Sequence, residues 1–252
     1  MYTLSGQEGP IPVSVTVSII IPVLHENAVI GETIGRIRSF AGGEAAEIIV
    51  ADGDPAGGTL RAIADGSVRK LLSEPGRGRQ LNRGAGAASG EILLFLHADT
   101  KLPPDALIRI GETLQDETLA GGAFDLAIDS PRRAFRPIER VASIRTRLTR
   151  IPYGDQAIFL RHDWFRSLGG YRDLPIMEDV DLMRRLKQAG GRIAILPERA
   201  VTSARRWERE GILFATLRNW SLVTLFLCGV DARRLARWYR PHTESPDKPP
   251  SE

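Results

Sequence analysis

Apolar residues along this chain follow two alternating spacings, which together predict an α/β fold. Short β-branched or leucine-rich runs indicate buried strands, and segments with an apolar residue every three or four positions indicate helices. The predicted strands lie at 15–23, 46–51, 68–72, 92–96, 121–128, within 153–160 and at 192–197. The predicted helices lie at 29–40, 59–64, 105–114, 164–168 and 176–186. Strands that alternate with helices favour a mostly parallel, doubly wound sheet.

Acidic side chains follow three of the predicted strands. Glu26 comes after the first strand, Asp52 after the second and Asp99 after the strand at 92–96. The carboxyl ends of strands are where open α/β sheets bind ligands, so these acids are candidates for binding a ligand or a metal ion. Aspartate also begins turns that bind nothing, and the pattern alone leaves both interpretations open.

Residues 74–90 form a glycine-rich basic segment that runs into a helix of small residues. Arg77, Arg79 and Asn82 lie among its glycines. Glycine permits close approach of backbone to phosphate, and a solvated basic turn is the alternative. The dinucleotide-binding fingerprint is not matched, because the third glycine is missing at the required place.

The chain is predicted to form a single domain with extended ends. At 252 residues it is long enough to bury a substantial core. We expect a flexible N-terminus at 1–14, one domain at 15–240 and a disordered tail at 241–252. Within the domain, 15–102 and 103–200 are the two expected halves, and 201–240 is a helical C-terminal segment.

Cysteine content and hydropathy predict a cytoplasmic setting. Cys228 is the single cysteine, so an internal disulfide is excluded and a reducing compartment is favoured. The N-terminus lacks the features of a signal peptide. The longest apolar run near the C-terminus, 220–230, is shorter than the roughly 20 residues that span a bilayer.

Arginine is concentrated in one stretch although the formal net charge is only +3. The stretch 131–150 contains seven arginines, and 220–239 combines apolar, aromatic and basic residues as interfacial helices do. The pattern suggests peripheral contact with the inner face of an anionic membrane. The alternative is a helix packed on the core or at a homodimer interface. Nucleic acid is not an expected partner, because Phe135 is the only aromatic residue within 131–150.

Five short motifs occur in the order found in one enzyme family. They are IPVLHEN at 21–27, VADG at 50–53, HAD at 97–99, GDQ at 154–156 and ED at 178–179. From about residue 15 to 239 the chain resembles family 2 glycosyltransferases of the GT-A fold. The segments GRGRQLN at 76–82, FLHADT at 95–100 and RRW at 205–207 resemble, more narrowly, the bacterial arsenosugar-biosynthesis-type subgroup.

The resemblance implies a nucleotide-diphospho-sugar donor, UDP- or GDP-linked, and inverting transfer to the hydroxyl of a small-molecule or lipid-linked acceptor. Carboxylates at the first two strand ends suit the base and ribose, because they accept hydrogen bonds from imide N–H and hydroxyl groups. The donor-binding residues that it implies are Pro22, Glu26, Asp52, Arg77, Asn82, Ala98 and Asp99.

A divalent metal ion, Mn²⁺ or Mg²⁺, is also implied. Asp99 matches the last position of the family's Asp-x-Asp metal motif, and His97 stands where the first aspartate is expected. That replacement weakens metal binding on one side. As a ligand, His97 would favour Mn²⁺; packing or a sugar contact is the alternative.

The same resemblance assigns the acceptor side. Asp179 matches the general base, and Glu178 would orient the acceptor or tune that base. Two acids at a helix start also have a purely structural explanation in the helix dipole. Asp155, Gln156, Arg206 and Trp207 are expected around the acceptor. Arg206 could also reach the diphosphate, and structural packing is the alternative for Trp207. The resemblance further makes 15–102 the nucleotide-binding half of the domain and 103–200 the acceptor half. Ser203 stands at the glutamine position of the processive relatives' motif, so polymer synthesis is not inferred.

Two other functions compete with an inverting glycosyltransferase. The His97 replacement motivates a catalytically silent module that binds a nucleotide-sugar or a membrane surface. A sugar-nucleotide pyrophosphorylase is disfavoured, because a glycine-rich basic loop is missing after the first strand. The sequence identifies neither the sugar, the base nor the acceptor.

Overall fold

The computed structural model describes residues 15–239, so the expectations for 1–14 and 241–252 lie outside the described residues. Within the described part, eight strands form one sheet in the order β3-β2-β1-β4-β7-β6-β8-β5. The strands are β1 (Val17–Val23), β2 (Glu47–Asp52), β3 (Arg69–Leu72), β4 (Ile92–Phe95), β5 (Thr100–Lys101), β6 (Leu119–Asp129), β7 (Phe159–Arg161) and β8 (Arg192–Ser203).

Helices connect these strands and cover the sheet. They are α1 (Ile30–Arg38), α2 (Gly58–Arg61), α3 (Arg77–Ala85), α4 (Ala106–Thr113), α5 (Phe135–Thr149), α6 (His162–Ser167), α7 (Glu178–Gln188), α8 (Arg205–Glu210), α9 (Ile212–Leu227) and α10 (Ala232–Ala236), with a 3₁₀ turn at Gly154–Gln156. No helix within 15–239 is both long and apolar enough to cross a membrane.

Strand directions confirm the predicted alternation and add two reversed strands. β1 pairs in parallel with β2 and β4, β2 with β3, and β6 with β8. β7, however, lies antiparallel to both β4 and β6, and the two-residue β5 lies antiparallel to β8. The sheet thereby joins residues from both expected halves, since β4 of the first half pairs with β7 of the second.

The core lies on both faces of this sheet. Successive side chains of a strand point to opposite faces, so Ile19 and Ile21 contribute to one cluster and Ile20 to the other. All three are fully buried. α1 and α4 cover the first face; α3, α6 and α7 cover the second. A smaller cluster around Phe135 and Trp207 joins α5 to α8 and α9.

β8 and α3 are two of the elements that differ from the sequence expectation. β8 continues to Ser203, whereas the predicted strand ends at Pro197, which cannot donate a ladder hydrogen bond. The β6–β8 register shifts between Ala123 and Asp125, opposite this proline. The residues in such a bulge are left out of the hydrogen-bond ladder, so no backbone N–H is required from Pro197. The helix α3 begins at Arg77, where a glycine-rich loop was expected.

Glycine in α3 serves close packing as well as loop geometry. Gly76, with φ of 129°, immediately precedes the helix in a conformation that side chains disfavour. A Cβ at Gly84 would lie 2.4 Å from Cγ2 of the buried Ile20. The missing side chain therefore lets α3 approach β1 closely, which fixes where Arg77 enters the sheet edge.

Gly84→Ala should destabilise the fold, because the new methyl group overlaps Ile20 in a packed core. Overpacking costs about 1–3 kcal/mol, which exceeds the gain in helix propensity. We expect the thermal midpoint to fall by roughly 2–8 °C. The matched control is Gly35→Ala in α1, where a Cβ would meet nothing within 4 Å. Its midpoint should be unchanged or higher, and equal effects at both positions would contradict the packing explanation.

Candidate active site

The carboxyl ends of β1, β4 and β8 open into one cavity of about 490 Å³. The starts of α3, α7 and α8, the 3₁₀ turn and α9 complete its walls. Most residues predicted to form a site line this cavity: Pro22, Glu26, Arg77, His97, Ala98, Asp99, Asp155, Glu178, Asp179, Arg206 and Trp207.

The acid pair lies at the N-terminus of α7, where backbone N–H groups favour negative charge. The preceding Met177 has φ of 66°, a left-handed conformation that is uncommon for a side chain of this kind. Asp179 Oδ2 accepts the backbone N–H of Gly154 at 2.5 Å, and Oδ1 accepts that of Val180 at 2.8 Å. These contacts hold the carboxylate against the 3₁₀ turn.

Glu178 is a buried acid beside this partly exposed aspartate. It is 4% exposed, and its carboxylate lies 3.6 Å from Nη1 of Arg77. Burial raises the pKa of Glu178 to about 7; the Arg77 charge opposes this rise and the Asp179 charge adds to it. A carboxyl group with such a pKa carries a proton for part of the time near neutral pH.

His97 sits between two guanidinium groups. Burial, reinforced by the charges of Arg77 and Arg206, holds its pKa well below the ordinary value, so the imidazole is neutral. Burial and the Arg77 charge also lower the pKa of Arg206. Arg206 donates a hydrogen bond to the Tyr239 hydroxyl and lies 4.9 Å from the centre of its ring. Two cations that repel one another across a cavity wall favour an anionic ligand there.

The two carboxylates at the ends of β1 and β4 share a cation. Arg205 Nη2 lies 3.3 Å from Asp99 Oδ2 and 3.8 Å from Glu26 Oε2. All three side chains are partly exposed to the cavity, at 45% for Arg205 and 31% for each acid.

Three buried polar atoms of the cavity lack a hydrogen-bond partner among residues 15–239. They are Asp155 Oδ1, Trp207 Nε1 and Asn219 Oδ1. Burial raises the pKa of Asp155 to about 6; the Arg145 charge opposes this rise and the Asp179 charge adds to it. A buried polar atom without a partner is costly, so a ligand with hydroxyl groups would stabilise this wall.

Three predicted site residues do not line the cavity. Asp52 is fully buried, and its carboxylate accepts the backbone N–H groups of Asp54 and Thr59. The Asn82 side chain bonds both backbone groups of Tyr171. Gln156 is buried and bonds Thr146 Oγ1 and the Phe124 carbonyl. Each of these side chains braces a segment that carries cavity residues.

The structure also brings in residues that the motifs did not indicate. Gln80 donates to the carbonyls of Val23 and Ala51, tying the ends of β1 and β2 together beneath the cavity. Arg205 lies beside Arg206 in the RRW segment, and that adjacency was the available signal. Asn219 and Tyr239 reach the cavity from the C-terminal helical segment, and no local pattern marks them.

A family model described as "Glycosyl transferase family 2" matches residues 18–169. Among curated proteins, the chain is 31% identical over 101 residues to the glucosyl-3-phosphoglycerate synthase of Mycolicibacterium smegmatis, covering 36% of this chain and 33% of that protein. It is 37% identical over 93 residues to the Mycobacterium tuberculosis enzyme of the same name, covering 33% and 29%. The match thus spans about a third of the length of these relatives.

Solved structures show the same fold. A mannosyltransferase from Pyrobaculum calidifontis, in complex with GDP-Man and Mn²⁺, superposes with a TM-score of 0.60 and 22% identity, covering 77% of this chain and 58% of that one. S. aureus TarS 1–349, in complex with UDP-GlcNAc, gives a TM-score of 0.58 and 15% identity, covering 75% and 58%. The expected GT-A fold is thereby confirmed.

Glu178→Gln should stabilise the protein at alkaline pH. The pKa of Glu178 is raised from 4.5 to about 7 in the folded state. The protonated carboxyl group therefore makes its full contribution to the free energy of unfolding below pH 4.5, and this contribution is lost as the pH rises through 7. Glutamine never ionises and avoids that loss. At each pH we compare the thermal midpoint of the variant with that of the unmodified protein. The variant's midpoint minus that of the unmodified protein should be at least about 2 °C larger at pH 8 than at pH 5.

The control for this measurement is Glu91→Gln at an exposed acid. Its midpoint relative to the unmodified protein should be the same at both pH values. A Glu178→Gln difference that does not change with pH would contradict the buried, partly protonated carboxyl group.

Proposed function

Because the chain belongs to glycosyl transferase family 2, we propose that it transfers a sugar, with inversion, from a nucleotide-diphospho-sugar to an acceptor hydroxyl. The observation that carries the proposal is the pairing of opposite chemistries across Gly154. A methyl group at this glycine would lie 2.9 Å from His97 Nε2 and 3.3 Å from Asp179 Oδ2. The Asp179 carboxylate and the neutral His97 imidazole therefore face one small space, and the charges of Arg77 and Arg206 act on that imidazole. A base on one side with cations near the other suits base-assisted displacement of an anionic leaving group.

The donor would bind with its diphosphate toward the cationic wall. Arg77 and Arg206 repel one another there, and the diphosphate would neutralise both. Pro22, Glu26, Ala98 and Asp99 line the adjoining part of the cavity, which we assign to the nucleoside and sugar. Asp52 and Asn82 would act beneath it. Similar structures hold GDP-Man and UDP-GlcNAc, which supports a UDP- or GDP-sugar as donor.

The described residues fit a divalent metal ion completed by the donor. No three histidine, cysteine, aspartate or glutamate side chains within 15–239 form a metal cage by themselves. Asp99 and Glu26 nevertheless already share one cation, Arg205, and hard carboxylate oxygens suit Mg²⁺ or Mn²⁺. We propose Asp99 as the ligand, with neutral His97 as the second candidate. A bound ion would neutralise charge on the leaving diphosphate.

Asp179 is the proposed general base. Its Oδ2 is held by the Gly154 N–H while its side chain faces the cavity, so it can accept the proton of an acceptor hydroxyl during attack. Glu178 would position the base and Arg77 from behind. Inversion follows from a single displacement in which the hydroxyl attacks opposite the leaving group.

The acceptor would bind where polar atoms are left without partners. Asp155 Oδ1 can accept a hydrogen bond from a hydroxylated molecule and Trp207 Nε1 can donate one to it, and Arg206 lines the same cavity. Gln156 would brace this wall.

The curated relatives are named glucosyl-3-phosphoglycerate synthases, which makes 3-phosphoglycerate one acceptor to test. Membership of the arsenosugar-biosynthesis-type subgroup is a finer hypothesis that rests on the segments at 76–82, 95–100 and 205–207.

Membrane contact is a secondary part of the proposal. α9 exposes Leu213, Phe214 and Leu217, and α10 carries the exposed Arg233 and Arg234. α5 exposes Val141, Ile144 and Leu148 in the same way, although its Arg136 and Arg147 form ion pairs and its Arg145 stacks on Tyr153. These two surfaces are the candidates for contact with an anionic membrane, with a homodimer as the alternative, in a cytoplasmic setting.

Donor identity can be found by thermal shift with GDP-mannose, UDP-N-acetylglucosamine and UDP-glucose, each with and without Mn²⁺. A bound donor stabilises the fold by about 2.7 kcal/mol when present at a hundred times its dissociation constant. For a chain of this size that is a rise of roughly 5–10 °C. Nucleoside monophosphates serve as the control, and no shift with any donor would contradict the proposal.

Asp179→Asn should remove transfer while leaving donor binding intact. The amide cannot take the acceptor proton, so turnover should fall by about 10²–10⁴-fold, with the donor dissociation constant within about threefold. The matched control is Asp163→Asn, also the second residue of its helix, whose Oδ1 likewise accepts the next backbone N–H. Release of nucleoside diphosphate provides the measurement. Unchanged turnover in Asp179→Asn would exclude this base, whereas donor binding without any turnover in the unmodified protein would favour a silent binding module.

A further inference from the structure

Arg205 occupies a place between two carboxylates that come from different strand ends. Its Nη2 lies 3.3 Å from Asp99 Oδ2, to which it donates a hydrogen bond, and 3.8 Å from Glu26 Oε2. Glu26 follows β1 and Asp99 follows β4, neighbouring strands of the sheet. One guanidinium group therefore offsets part of the charge of two acids that the sheet brings together.

The position of Arg205 is set by its own surroundings. It is the first residue of α8, directly after β8, and both its backbone N–H and its Nε donate to Ser203 Oγ at 3.2 Å. The guanidinium group is 45% exposed, so solvent screens its ion pairs. Arg205 is therefore positioned to pair with both acids, but the pairing is weak. A divalent cation attracts carboxylates more strongly and can displace it.

We propose that Arg205 is a resident counter-ion of Asp99 and Glu26 that a divalent metal ion must displace in order to bind. The inference rests on the proposed function only in taking Asp99 as the metal ligand. Displacement would release both carboxylates at once, Asp99 toward the metal and Glu26 toward the nucleoside. Arg205 thus offsets one of the two negative charges of the site and makes it bind metal weakly until the donor supplies further ligands.

The inference is tested by the binding of Mn²⁺ alone, followed by electron paramagnetic resonance of the free ion, without nucleotide. Arg205→Gln removes the competing charge, and Mn²⁺ should bind about fivefold more tightly, as expected for a partly exposed ion pair. Arg205→Lys keeps the charge and should stay close to the unmodified protein. Circular dichroism and the thermal midpoint establish that each variant is folded.

The matched control is Arg209→Gln, which removes the same charge one helical turn later in α8 from a residue that also lines the cavity. Its Mn²⁺ affinity should change less than twofold. Asp99→Asn in the Arg205→Gln background should abolish the gain. The inference is overturned if Arg205→Gln binds Mn²⁺ no more tightly, if Arg209→Gln gives the same gain, or if the gain survives Asp99→Asn.

The two proposals fail in different ways. Binding of Mn²⁺ to neither protein overturns the displacement of Arg205, while donor binding and the Asp179→Asn kinetics can still support glycosyl transfer. A donor panel without any thermal shift contradicts the proposed function, whereas a gain in Mn²⁺ affinity that depends on Asp99 still supports the displacement.

Discussion

Charges at the carboxyl edge of the sheet are partly shielded from water, and each needs an opposite charge or a proton. Glu178 meets this need with Arg77 and a raised pKa of about 7. Asp99 and Glu26 meet it through Arg205. Arg77 and Arg206 also repel one another near a neutral His97, although Glu178 offsets the first charge and Glu210 and Asp155 offset the second. A diphosphate bound there would reduce the repulsion that remains.

Close packing beneath the edge keeps these charges in place. Gly84 allows α3 to approach Ile20, and Gln80 in the same helix ties the ends of β1 and β2. Arg77, at the start of that helix, is positioned by the same packing. Asp52 and Asn82 do comparable work with backbone groups. A side chain whose motif predicts ligand contact can thus act indirectly, by holding in place the segment that carries the contacting residues.

The fold was largely predictable because strand and helix spacings are local properties. The parallel strands β1 to β4 and the acids at their ends follow from short apolar runs and from the alternation with helices. The antiparallel β7 did not follow, because strand direction depends on how a three-residue strand is enclosed by β4 and β6. The passage of β8 through Pro197 likewise depends on a bulge relative to β6.

The sequence by itself determined the fold class, the family motifs and the strand ends at which acids would gather, because each is written within a few consecutive residues. Only the tertiary structure decided which of those residues face one cavity. It placed Arg205 on Asp99 across 106 positions of the chain, and it set Asp179 against Gly154 across 25. Charge pairing and burial depend on distances in space, which no local pattern contains.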